Sequence, residues 1–300
     1  MTVTISQRQL DRLNEARLPG MEVPLLEHVR LAFPVDLALL GEAQALVAIR
    51  LALRRAGRHR LATLGEVCRY LDTMLVHGSF FDEDPLLPWA ATALAQPRDA
   101  ADRMQSLVAD SLTWIGIAAG EDGRPAVRAL VRARNLTSIG LASLRPVPDP
   151  ADAGPLPDPA LPPFEPAPPD ATPAEVERAA LRTLLCDLHP ERVRAAGLAA
   201  LDAALDAALA GAAALRLTTP LGRHVHAALC FLVGAGYARD PLHPWAAAVL
   251  AGAGDAEARA QALMAEAQAA IGRALEQMRQ PPPARSLVHA AVHSPATMRG

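Results

Sequence analysis

Asp84-Pro85-Leu86-Leu87-Pro88-Trp89-Ala90-Ala91-Thr92-Ala93-Leu94 returns as Asp240-Pro241-Leu242-His243-Pro244-Trp245-Ala246-Ala247-Ala248-Val249-Leu250, identical at eight of eleven positions. The offset is 156 residues, and it holds without a gap far outside this stretch. Pro34 matches Pro190, Gly41 matches Gly197, Thr63 matches Thr219 and Gly78 matches Gly234. Asp99, Arg103, Leu107, Ile115 and Gly116 match Asp255, Arg259, Leu263, Ile271 and Gly272. Self-similarity at a fixed offset reads as a duplicated domain rather than one irregular fold. A chain of 300 residues suits two domains of ordinary size.

The repeated phrase has readable backbone physics. A residue before proline is pushed out of the helical region, which places Asp84 and Leu87 in extended or turn geometry. Pro88 can then open a helix with Trp89 in its first turn. Asp84 is suited to accept backbone N–H bonds from the turn, with Phe81 and Tyr237 expected to pack beside the tryptophans. A corner joining two helices therefore accounts for every shared residue. The sharper reading is a protein-binding surface on Phe80, Phe81, Asp84 and Trp89, with Tyr237, Asp240 and Trp245 in the second copy, because aromatic anchors dominate many interfaces.

Outward from this corner the periodicity is helical. Leu39, Leu40, Ala43, Leu46, Val47, Ile49 and Leu53 trace one face of a long helix. Thr63-Leu64-Gly65-Glu66 and Thr172-Pro173-Ala174-Glu175 are capping boxes, and Thr219-Pro220 is a third helix start. Gly78 and Gly234 are natural stops. The final helix of each copy is amphipathic, with Met104, Leu107, Val108, Leu112 and Ile115 in one and Leu263, Ala267, Ala270 and Ile271 in the other. No alternating apolar run is long enough to seed a sheet. The expected fold is all-α: two homologous bundles of about five helices, over 1–144 and 172–280. A proline-rich linker over 145–171 joins them, and a loosely held tail occupies 281–300.

Composition narrows the function. The chain is 51% hydrophobic but 3% aromatic, so its core is mainly Leu, Ala and Val, which suits closely packed helices. A net charge of −3 gives no basic footprint, and no nucleic-acid partner is expected. Cys68, Cys186 and Cys230 occupy non-equivalent places in the two copies, which reads as reduced thiols in a cytoplasmic protein. The first residues lack a signal-peptide pattern, and no membrane association is expected.

Chemistry is mostly declined. His224 and His226 lie two apart on a helix and point to different faces, so no metal site is expected. No phosphate-binding loop, nucleophile elbow or dinucleotide fingerprint is present, so no cofactor is expected. Asp82, Glu83 and Asp84 form the tightest acidic cluster. They offer a hydrolase as the alternative, with acid–base chemistry in a cleft between the copies.

The run Tyr70-Leu71-Asp72-Thr73-Met74, continued by Gly78-Ser79-Phe80-Phe81-Asp82-Glu83-Asp84-Pro85 and Leu87-Pro88-Trp89-Ala90, resembles a family of small uncharacterised helical proteins. These are encoded in type VI secretion and effector clusters of Gram-negative bacteria, usually as a single copy. The resemblance covers about 60 residues per copy and departs in the second, where Tyr237-Ala238-Arg239 replaces the Phe-Asp-Glu stretch. It implies a non-enzymatic adaptor, accessory or chaperone for a secreted effector or a secretion-spike component, with no catalytic residues.

Overall fold

The computed structural model describes residues 7–137, 140–141 and 170–279. Every regular element among them is helical. The first set comprises α1 (Gln7–Ala32), α2 (Pro34–Leu40), α3 (Glu42–Arg58), α4 (Leu64–His77), α5 (Pro88–Ala95), α6 (Ala100–Ala118) and α7 (Arg124–Asn135). The second comprises α8 (Pro173–Leu188), α9 (Pro190–Ala196), α10 (Leu198–Ala212), α11 (Pro220–Val233), α12 (Pro244–Ala251) and α13 (Ala256–Arg279). The starts of α2 to α6 precede those of α9 to α13 by 156 residues each. Each residue from α2 to α6 thus has its counterpart 156 positions away in the other set. The expected linker, apart from 170–171, and the expected tail lie outside the described residues.

Local chemistry sets most boundaries. Thr63 and Glu66 form a reciprocal capping box at the start of α4, and Thr172 and Glu175 do the same for α8. Thr219 accepts the Gly222 N–H ahead of Pro220. Gly78 and Gly234 end α4 and α11 with φ of 95° and 119°, a region that disfavours any side chain.

Two expectations about helix faces need correction. The long helix expected from Leu39 to Leu53 is broken at Gly41, whose φ of 74° separates α2 from α3, and Leu39 and Val47 are both exposed. In α6 the buried face is Met104, Leu107, Ser111, Trp114 and Ala118, whereas Leu112 is 49% exposed. The helix follows the 3.6-residue period through Trp114 and not through the apolar Leu112. The positions 156 residues beyond helix α7 lie outside the described residues; α7 itself packs on α13 and α8, and the Gln268 amide donates to the Arg134 and Leu136 carbonyls.

One contiguous apolar core runs through both sets, from Leu25, Ile49, Leu71 and Leu107 to Leu185, Leu201, Phe231 and Leu263. Helix α6 lies against α9, which joins the sets at their middle. The segment 198–215 is the one described stretch long and apolar enough to match a membrane span, with mean hydropathy 1.6. It carries Asp202 and Asp206, which pair with Arg178 and Arg182, and it packs along α11.

Candidate functional site

The two copies of the repeated phrase meet. Ser79, just after α4, donates its backbone N–H to Asp240 Oδ2 at 2.8 Å and its hydroxyl to Oδ1 at 2.5 Å. Its counterpart Ala235, just after α11, donates its N–H to Asp84 Oδ2 at 3.1 Å. Each aspartate also accepts the N–H two residues along its own chain, from Leu86 at 2.9 Å and from Leu242 at 2.8 Å. Asp84 thus closes its own proline turn with Oδ1 and reaches the opposite loop with Oδ2, whereas Asp240 Oδ1 serves both its own turn and the Ser79 hydroxyl. Burial outweighs these bonds at Asp84 and pushes its carboxyl above the usual range.

Two contacts here join residues 156 positions apart. Arg239 donates to Glu83 at 3.0 Å. The Phe80 ring covers Gly236 so closely that a Cβ added there would lie 2.2 Å from it. The guanidiniums of Arg55 and Arg239 lie 4.6 and 4.1 Å from the Phe80 ring centre. Gln44 adds a bond to the Pro241 carbonyl at 2.7 Å.

Beside this junction, the first set holds a buried ionic cluster. Asp82 accepts from Arg55, from His59 at 2.7 Å and from the Tyr70 hydroxyl at 2.9 Å. Burial opposes its charge, but the His59 and Arg55 bonds win and hold its carboxyl down at about 2. In the second set Ala238 replaces Asp82 and Gly211 replaces Arg55, while the Tyr237 hydroxyl pairs with His226 at 2.8 Å. Asp82, Glu83 and Asp84 diverge accordingly. Asp82 faces inward, Asp84 faces the other set, and Glu83 reaches Arg55 and Arg239 near the surface.

Around the aromatic corner, the partners differ from those expected. Phe81 packs on Tyr70 at 5.0 Å, not on Trp89, and Tyr237 packs on His226 at 5.5 Å. His77 takes the place beside Trp89, at 5.3 Å, and also meets Trp114 at 5.2 Å. It bonds Ser111 at 2.7 Å, and burial holds the imidazole down at about 3. A histidine so reluctant to accept a proton is a poor general base. The three thiols are unpaired; Cys186 is pushed up to about 12 by burial, which keeps it protonated. No group of three or more His, Cys, Asp or Glu among the described residues could hold a metal ion.

Alongside the junction opens a cavity of about 450 Å³. Its walls come from both sets: α2, the end of α4, the end of α11, the turn before α12, and α13. They are mainly apolar, with Leu39, Leu40, Leu232, Trp245, Ala270 and Ile271 among them. Arg192, from α9, is a half-buried charged residue in the cavity wall. Its guanidinium lies 4.9 Å from the Trp114 ring centre and 5.7 Å from that of Phe231, and its Nε is buried without a hydrogen-bond partner.

Of the residues expected to bind a partner, Phe80, Phe81, Asp84, Tyr237 and Asp240 are buried within the chain, and Trp89 and Trp245 are half-buried. The structure brings three of them, Phe80, Asp84 and Asp240, into contact across the junction, while Phe81 and Tyr237 pack within their own sets. Trp89 stands on His77 and Trp245 lines the cavity. Sequence reasoning passed over Arg55, His77, Trp114 and Arg192, which lie outside the matched phrase. The signal for them is the mismatch between copies, since their counterparts are Gly211, Val233, Ala270 and Asp36. No known protein family, curated protein or solved structure matches the chain.

Proposed function

We propose that this chain is a tandem duplication folded on itself as a pseudo-twofold pair, serving as a non-enzymatic adaptor. The observation that carries this reading is the reciprocal bonding of Asp84 to Ala235 and of Asp240 to Ser79. Such an exchange is what two copies of one self-complementary surface make when they associate. A single-copy ancestor would have used the phrase to dimerise, and fusion makes that contact intramolecular and permanent. Surfaces outside the junction, and the apolar cavity beside it, are then the parts left to meet something else.

The resemblance to proteins of type VI secretion clusters supplies the partner class: a secreted effector or a secretion-spike component, held before delivery in the cytoplasm. The hydrolase alternative has less to support it. It needs a carboxylate free to exchange a proton, whereas Asp82 and Glu83 share Arg55 as their counter-ion and Asp84 turns to the other set.

The test is co-expression of the full chain with the proteins encoded beside its gene, followed by gel filtration and mass measurement. A stoichiometric complex with one of them supports the adaptor. A chain that elutes alone with every neighbour, yet hydrolyses reporter esters or glycosides, overturns it in favour of an enzyme.

A further inference from the structure

The two sets differ most where the cavity lies. In the first set, α6 presents Ser111, Trp114 and Ala118 towards α9, and the Trp114 ring fills the space beneath Arg192. In the second set, α13 presents the counterparts Ala267, Ala270 and Ala274 towards α2. An indole on one side faces a methyl on the other, and the volume between α13 and α2 stays open. The cavity is therefore the empty twin of a filled site. An apolar space of this size falls in the range that encloses a small organic molecule.

Arg192 gives that space its chemistry. No carboxylate among the described residues lies within ion-pair distance of its guanidinium, and its Nε has no partner. Burial pushes the group below its ordinary range, with only the through-space field of Asp84 opposing. A desolvated guanidinium over two aromatic rings presents planar N–H groups matched to a carboxylate. The other charged groups at the wall are Asp36, which has a partner of its own, and Arg273, which adds positive charge on α13. His77 and His243 also line it, and burial pushes both imidazoles below their ordinary range.

We propose that this cavity binds a small amphipathic monocarboxylate, an alkyl chain of medium length lying between α2 and α13 with its carboxylate on Arg192. The chain would lie on Leu39, Leu40, Leu232, Trp245 and Ile271, where burial of each CH₂ favours binding. The carboxylate supplies the partner that the buried Nε of Arg192 lacks.

Titration of the full-length protein with decanoate, decanol and decylammonium, followed by calorimetry, tests this. Decanoate is expected to bind at least tenfold more tightly than decanol, with decylammonium weakest. Arg192→Gln should remove the preference for decanoate over decanol while leaving decanol unchanged. Ala270→Trp copies the indole of the filled twin into the cavity and should abolish binding of all three with the circular dichroism spectrum intact. Should that variant not fold, Ala270→Leu serves, with a weakening of at least fivefold expected. Equal affinity for decanoate and decanol, decanoate binding that survives the filled cavity, or no binding of any probe would each overturn the proposal. These outcomes are independent of whether a protein partner is found, so the adaptor reading stands or falls separately.

Discussion

Asp84 and Asp240 each satisfy a backbone N–H in the other's half of the chain while closing a proline turn in their own. The exchange is unequal, because Ser79 offers a hydroxyl as well as its N–H where Ala235 offers the N–H alone. Asp240→Ala leaves three donors without an acceptor and Asp84→Ala leaves two. Each buried donor so stranded costs about 1–3 kcal/mol, partly recovered by water. Urea denaturation should show a loss of about 3–5 kcal/mol for Asp240→Ala and about 2–4 kcal/mol for Asp84→Ala. An equal or reversed order would count against the hydroxyl bond as the difference.

Gly236 is required by its neighbour. A methyl there would lie 2.2 Å from Phe80 Cδ2 and 2.7 Å from Phe80 Cβ, and a rotation of the ring cannot relieve the second clash. Gly236→Ala should destabilise by about 1–3 kcal/mol. The same change made in Phe80→Gly, which removes the Cβ together with the ring, should cost close to nothing, a coupling that a double-mutant cycle reads directly. Additive losses would mean that the two residues do not share the junction.

The ionic cluster at Asp82 makes an asymmetric forecast. Arg55→Met strands a carboxylate whose side chain is 4% exposed and should cost about 3–5 kcal/mol by urea denaturation. Arg55→Met with Asp82→Leu removes both charges, and the second set already lives with Gly211 and Ala238 at these places. The double variant should therefore recover most of the loss. A double variant as unstable as the single would show that the cluster's worth lies in its shape and not in its charge pairing.

Acid should weaken the fold well before the carboxylates titrate. Folding lowers His77 to about 3 and His226 to about 4, against about 6.5 in an unfolded chain. Protons then bind the unfolded chain more readily, so the stabilisation is complete above about pH 6.5 and is lost as pH falls from there towards 4. Each imidazole contributes a slope of up to about 1.4 kcal/mol per pH unit in that window. His189 and His243 shift the same way through burial. His28 runs opposite, raised by its bond to Asp72; its contribution is present below pH 6.5 and fades as pH rises through its folded value. Urea midpoints should hold level from pH 8 to about 6.5 and fall from there to pH 5, and His77→Gln with His226→Gln should flatten the fall.

The offset of 156 residues, the helix starts at Thr63, Thr172 and Thr219 and the stops at Gly78 and Gly234 can all be read from the chain before any coordinates. They rest on interactions that reach no further than four residues: a hydroxyl on a nearby N–H, a ring that forbids helical φ, a glycine that tolerates positive φ. The turn at Asp84 was visible for the same reason, through its bond to Leu86. Its second bond, to Ala235, was not, because a carboxylate's remaining oxygen carries no mark of which distant N–H it will meet. Nor could the pattern place Phe81 on Tyr70, Trp89 on His77, or Arg192 over Trp114, since those contacts depend on how two helical sets turn their faces to each other. The exchange of aspartates and the cavity opposite Ala270 follow from packing across more than a hundred residues, where shape and burial decide and local propensity has no reach.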